Sequence, residues 1–267
     1  MKAERPQITI WVHGTHFVSN GTLEQVYSLV DKVVTRFLKK EIPSFHARDG
    51  LHPVSAYNKR SYFTRKAKEW AKLDPQFRIE DFYIYGWSGR LSPRAREKCG
   101  INLYNDIQKL REAYRKKNNR KPIIRIITHS HGGNVALQLA KAEKLFHMNL
   151  VIDELILLAC PVQQATEKLI HEPVFKTVYS LFSPKDLVQV MDPQKLHTFD
   201  FVGPLFSERC FKPADKIKQA CITLNGEHLF LPHTTFITNK FTNQLPFVLK
   251  EMQAWKPGTI GEIDISA

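Results

Sequence analysis

Ser130 stands between two histidines, His129 and His131, and is followed by Gly132 and Gly133, at the end of a β-branched run that begins at Pro122. A serine hydroxyl is a poor nucleophile near neutral pH. To attack a carbonyl it needs a base in contact, a group that orients the base, and donors facing the oxyanion. A chain that breaks sharply from strand to helix at the serine lifts the hydroxyl clear and aims the first helical N–H groups at developing negative charge. The same triplet does not read as a metal site. Neighbouring side chains on a sharp turn do not converge as ligands, and no carboxylate or cysteine lies at ligand spacing.

The elements that must position this turn follow from the hydrophobic pattern. Residues 122–128 read as a strand and 133–145 as the helix after it. Upstream, 8–13 is an apolar run ended by Gly14 and Thr15, and 23–38 has helical spacing with Thr22 as its cap. Residues 39–77 lose the pattern and read as a basic, aromatic insertion over the surface, with one short helix around 65–72. A strand at 81–85 closes in Trp87-Ser88-Gly89, and Ser92-Pro93 opens a helix running to about Lys117. Further strands are expected at 154–159, 178–182 and 220–224, a short helix at 164–170, an aromatic-rich loop at about 191–213, and a closing helix at 245–255. Strands alternating with helices, and too apolar to face water on either side, imply a mostly parallel sheet covered on both faces.

Composition bounds the function. A chain of 267 residues, 43% hydrophobic, can bury one sizeable core and reads as a single domain. The formal charge of +13 implies affinity for something acidic. No nucleic-acid-binding motif accompanies the charge, which disfavours nucleic acid. Cys99, Cys160, Cys210 and Cys221 are scattered without a CxxC pair, as in a reducing compartment. With no signal-peptide pattern and no run approaching the roughly 20 apolar residues of a membrane span, the expectation is a cytoplasmic chain.

With these elements in order, the chain resembles the α/β-hydrolase superfamily, in its serine esterase and lipase-like branch, from Ile8 to the closing helix. Thr128-His129-Ser130-His131-Gly132 carries the resemblance, with Thr128 where the motif usually has glycine. The resemblance implies a three-layer α/β sandwich without a large cap domain, since little chain separates Pro161 from Val178. It also implies a chain order of serine, acid, histidine. Ser130 is then the nucleophile and Asp186 the acid, in the turn after the second strand beyond the serine. Asp153, before its strand, and Asp192, beyond the turn, are weaker choices. Two histidines qualify as the base, His233 and His228, with His233 preferred. The backbone N–H groups of Thr15 and His131 are the implied oxyanion donors, and His13 is a structural histidine bonding backbone.

The activity this implies is hydrolysis of a carboxylic ester through an acyl-enzyme, without cofactor or metal. The basic charge and the aromatic residues at 199–211 tilt the substrate toward lipid or acyl esters and toward peripheral contact with an anionic membrane. The competing reading is a non-catalytic binding protein of the same fold that docks acidic partners through residues 59–72.

Overall fold

The structure, a computed structural model, describes residues 7–14, 47–90, 92–190, 207–228 and 232–265. The helix expected at 23–38 and most of the aromatic-rich loop lie outside the described residues.

One sheet organises the chain. Its strands are β1 (Gln7–Val12), β2 (Gly50–Pro53), β3 (Phe82–Gly86), β4 (Ile123–His129), β5 (Ile152–Leu158), β6 (Phe175–Phe182), β7 (Ile217–Leu224), β8 (Glu227–His228) and β9 (Ile260–Ile265). The order is β2-β3-β1-β4-β5-β6-β7, with β8 and β9 both paired to β7. All pairings are parallel except β2 with β3 and the two-residue β8 hairpin with β7.

Alternation along the strands divides the core in two. Ile8, Ile10 and Val12 of β1, with Ile124 and Ile126 of β4, face a layer built from α2 (Pro93–Asn118), α3 (His131–Leu137) and α4 (Leu139–Phe146). Trp11, Ile127 and Ile156 face the other layer, built from α1 (Tyr62–Leu73) and a long C-terminal helix, Asn239–Ala254. Three short helices complete the described chain: α5 (Gln164–Glu167), α6 (Leu187–Val190) and α7 (Pro232–Thr235), so the C-terminal helix is α8. Only α5 and a following 3-10 turn stand between β5 and β6, so no cap domain occupies that link. With a mostly parallel sheet between two helical layers, this is the α/β-hydrolase sandwich.

The reading of residues 39–77 as a surface insertion needs correction over its described part. Residues 50–53 add an edge strand. Tyr62, Phe63 and Trp70 of α1, with Phe77, are buried against Trp11 and Phe82, a set of rings at 5.3–6.5 Å. Tyr62, Phe63 and Trp70 recur at helical spacing, so the helix has an apolar face to bury, and burying such a side chain stabilises by about 2–3 kcal/mol. Even Lys66 is turned inward, with its ammonium 2.6 Å from Glu69 and 3.0 Å from Asn243.

Helix α2 begins as expected, with Ser92 accepting a hydrogen bond from the Ala95 N–H and Pro93 in the first turn. The helix expected at 133–145 is two helices, α3 and α4, meeting at Gln138.

Candidate active site

Register sets the site. Val12 of β1 lies beside Thr128 of β4, so His13-Gly14 and His129-Ser130 leave the sheet together at the carboxyl ends of adjacent parallel strands. Ser130 caps α3 with φ 52° and ψ −133°. A non-glycine residue held there costs about 1–3 kcal/mol, and the cost must be met by the packing around the turn. The turn is pinned by the Ser130 N–H donating to the Leu158 carbonyl of β5, 2.8 Å, and the Gly133 N–H donating to the Ser130 carbonyl, 2.9 Å.

Two glycines make the turn possible by close approach. A Cβ on Gly132 would lie 2.5 Å from the carbonyl oxygens of Val12 and His13, and one on Gly14 would lie 2.9 Å from the Ser130 Cβ. The collision at Gly132 is thus with the neighbouring strand, and the loop after β1 runs directly against the serine. Thr128, where glycine is usual, is fully buried, and its hydroxyl donates to the Ile156 carbonyl of β5 at 3.1 Å. The threonine therefore ties two strands together beneath the turn instead of crowding it.

Asp186 and His233 meet. His233 Nδ1 donates to Asp186 Oδ2 at 2.9 Å, and Asp186 Oδ1 accepts the Gln189 N–H, also at 2.9 Å. With Nδ1 committed to the carboxylate, the ring presents Nε2 as its proton acceptor. Burial pushes the Asp186 carboxyl up, but the facing His233 and the hydrogen bonds outweigh it and hold the group below its ordinary range. The turn holding Asp186 is itself braced. The Arg209 side chain donates to the Asp186 carbonyl, and the Gln189 amide donates to the carbonyls of Cys160 and Arg209.

His129 was not singled out by the sequence for any role, yet it joins the two halves. Its Nε2 donates to the His233 carbonyl at 2.8 Å, and the two rings lie 4.9 Å apart. Burial, with the nearby His233, lowers its pKa to about 3, so the ring stays neutral. The bond brings the His233 segment against the residue next to Ser130. The Ser130 hydroxyl itself makes no hydrogen bond to His233 among the described residues. The sequence signal for His129 was its place directly before the serine; its partner, 104 residues away, has none.

The remaining candidates separate clearly. His131 is buried at the first position of α3 and accepts from Asn134, whose amide also donates to the Pro161 carbonyl at 2.9 Å. His13 bonds backbone: its Nδ1 donates to the Gly14 carbonyl, and its Nε2 accepts the Trp87 N–H at 3.1 Å. Trp87 stacks on that ring and donates its indole N–H to the His13 carbonyl, so it packs beside the site. His228 lies in β8, its backbone paired with Thr223. Asp153 accepts the Ile124 N–H at the opposite end of the sheet from Ser130. Thr15 and Asp192 lie outside the described residues. Of the aromatic-rich segment, Phe211 is buried and fixed by paired bonds to the Gln219 side chain, each 2.8 Å. Among the described residues, no cluster of three or more His, Cys, Asp or Glu is arranged to hold a metal ion, and no helix is long and apolar enough to cross a membrane.

The strand order and the strand–serine–helix turn give the chain the α/β-hydrolase fold. Within that class, residues 101–194 match the model of the PGAP1-like alpha/beta domain family. Among solved structures, the chain is similar to the phospholipase PlaB of Legionella pneumophila, at 16% identity and TM-score 0.31, over 58% of this chain and 25% of that one. The chain thus spans about a quarter of PlaB. The product of lin2722 from Listeria innocua is 13% identical over 97% of this chain and 99% of that one, with TM-score 0.40. The rice cell wall degrading esterase LipA of Xanthomonas oryzae is 10% identical over 62% of this chain and 36% of its own, with TM-score 0.28. A search of curated proteins gave no match.

Proposed function

We propose that the protein is a serine hydrolase that cleaves carboxylic esters through Ser130, His233 and Asp186. The observation that carries this reading is the His233–Asp186 hydrogen bond, lying at the same sheet edge as the strained Ser130 and tied to it through His129. In the reaction, the Ser130 hydroxyl attacks the ester carbonyl while His233 Nε2 takes its proton. The carbonyl π electrons move onto oxygen, and the N–H groups of His131 and Thr15 receive that charge. Gly14, packed against Ser130, supports a role for the residue that follows it. Collapse expels the alcohol, which takes the proton from His233 and leaves an acyl-serine. Water then gives a proton to His233 as its oxygen bonds the acyl carbon, and collapse breaks the bond to Ser130 Oγ, which takes that proton back as the acyl group leaves as the acid. Asp186 stays ionised throughout, fixing the ring's tautomer and stabilising the imidazolium.

Turnover of an activated short-chain ester tests this assignment. Ser130→Ala and His233→Ala are expected to abolish it, while His228→Ala retains it. The reverse pattern for the two histidines would move the base to His228. Undiminished turnover in Ser130→Ala would remove the mechanism altogether. The acyl-chain preference is read from a chain-length series on the wild type, with longer acyl groups expected to be favoured.

A further inference from the structure

The described residues include six large hydrophobic side chains left in solvent, and four of them, Leu145, Phe146, Met148 and Val151, fall within seven residues of one another. Chance scatter does not concentrate them so, and contiguous exposed apolar surface marks a contact face. They occupy the end of α4 and the loop into β5. The loop is firmly held. Arg111 of α2 donates to the carbonyls of Met148 and Asn149 at 2.9 and 2.7 Å, and Glu143 accepts the N–H groups of Asn149 and Leu150, both at 2.9 Å. Phe146 stacks on Tyr104 at 5.5 Å while remaining 40% exposed.

The surroundings are cationic. The end of α2 and the link to β4, residues 111–121, carry six Arg and Lys against one carboxylate, Glu112, which is paired with Arg115. Lys116, Lys117, Arg120 and Lys121 are exposed. Continuing the β4–β5 register places Lys121 beside Leu150, one residue before Val151. Carboxylates near the apolar loop are occupied: Glu143 by Tyr104 and the loop backbone, Asp153 by Lys176 and the Ile124 N–H, and Glu172 by Lys144.

Apolar side chains that project from a rigid loop within a field of lysines and arginines fit one environment, the interface of an anionic bilayer. There the apolar groups enter the acyl boundary and the cations meet phosphate and carboxylate headgroups. Nucleic acid would use the cations but gain nothing from Leu145 or Met148. We infer that residues 145–151 with the basic end of α2 form a docking surface for anionic membranes. The surface lies at the amino ends of β4 and β5, whereas Ser130 leaves the carboxyl end of β4. Strands of seven residues separate the two by about 20 Å. Docking therefore tethers the protein without covering the candidate active site, and the inference stands whether or not Ser130 is a nucleophile.

Cosedimentation with vesicles of phosphatidylcholine containing 30% phosphatidylserine, and with phosphatidylcholine alone, tests it. The wild type is expected to bind the mixed vesicles, bind the neutral ones at least tenfold less, and be released by raised salt. Lys116→Gln with Lys117→Gln is expected to weaken binding about 25-fold, taking about 1 kcal/mol, or fivefold, per cation. Leu145→Ser with Met148→Ser, both on solvated side chains, is expected to weaken it about tenfold with the melting temperature unchanged. Equal binding to both vesicle types, or to neither, overturns the inference. So does wild-type binding by the Leu145→Ser, Met148→Ser protein, which would leave only a diffuse cationic attraction of the kind nucleic acid shares. Should that protein melt early, the Lys116→Gln, Lys117→Gln pair and the salt dependence of the wild type decide.

Discussion

Strand β4 carries a buried polar cluster near each end, and the two are built differently. Near its start, Arg125 lies 2.9 Å from Asp74 and 2.6 Å from Glu154, two carboxylates around one guanidinium. Burial pulls the Arg125 pKa down, but the two carboxylates outweigh it and raise the value overall. Every charge there has a partner. At the other end of the strand, the Asp186–His233 pair spends one ring nitrogen on the carboxylate, and His129 links it to the residue before a serine held at positive φ. A buried ion cluster that is internally complete reads as architecture. One that keeps an unspent acceptor next to strained backbone reads as chemistry.

The largest effect that could break this contrast is Asp186→Asn. It should lower turnover of an activated ester about 10⁴-fold while leaving the fold intact, because the amide favours the wrong imidazole tautomer. A loss below tenfold would place Asp186 with Arg125, as architecture. Next, Arg125→Leu should destabilise by about 2–3 kcal/mol in urea unfolding, since it leaves the half-buried Asp74 and Glu154 without their cation. Activity per folded molecule should hold. A loss of turnover out of proportion to stability would show the two clusters coupled.

A pH titration sharpens the comparison further. His129 has its pKa lowered from 6.5 to about 3, so between those values the unfolded chain binds a proton that the folded chain does not. Its contribution is complete above pH 6.5 and declines as pH falls toward about 3, by roughly 2–5 kcal/mol. Asp186, whose pKa is lowered, acts in the same direction, its contribution being lost as pH falls below the ordinary carboxylate range. Unfolding free energies measured from pH 7 to 4 should therefore slope downward, and His129→Gln should flatten most of that slope. The smallest effect expected is from Thr128→Val, about 1 kcal/mol for the lost bond to the Ile156 carbonyl, read as a lower melting temperature.

Much of this was legible in the sequence. The strands at β1, β3, β4, β5, β6 and β7 were marked by apolar runs, and Ser92-Pro93 marked the start of α2, because such signals are local. The features that escaped depend on distant partners. Strand β2 is four residues long and has meaning only against β3. Strand β9 alternates as Ile-Gly-Glu-Ile-Asp-Ile, yet it follows the helix expected to close the chain. The closing helix was expected at 245–255, whereas α8 runs from Asn239 and carries Pro246 inside it. At the site, the strand-to-helix turn at Ser130 was marked by its own residues, whereas Asp186 was reached through the family resemblance. The choice between His228 and His233 was open, because loop length alone separates them in the sequence, and the bond from His233 to Asp186 spans 47 residues. His129 was marked only by its place before the serine, and its partner was not, since its bond to the His233 carbonyl spans the fold.

The central claim, that Ser130 is an activated nucleophile, is tested most directly by reacting the folded protein with a fluorophosphonate and locating the adduct by peptide mass spectrometry. The account predicts a single adduct on Ser130, formed by the wild type and absent from Ser130→Ala. An unlabelled folded wild type, or an adduct that persists at another residue in Ser130→Ala, would contradict it.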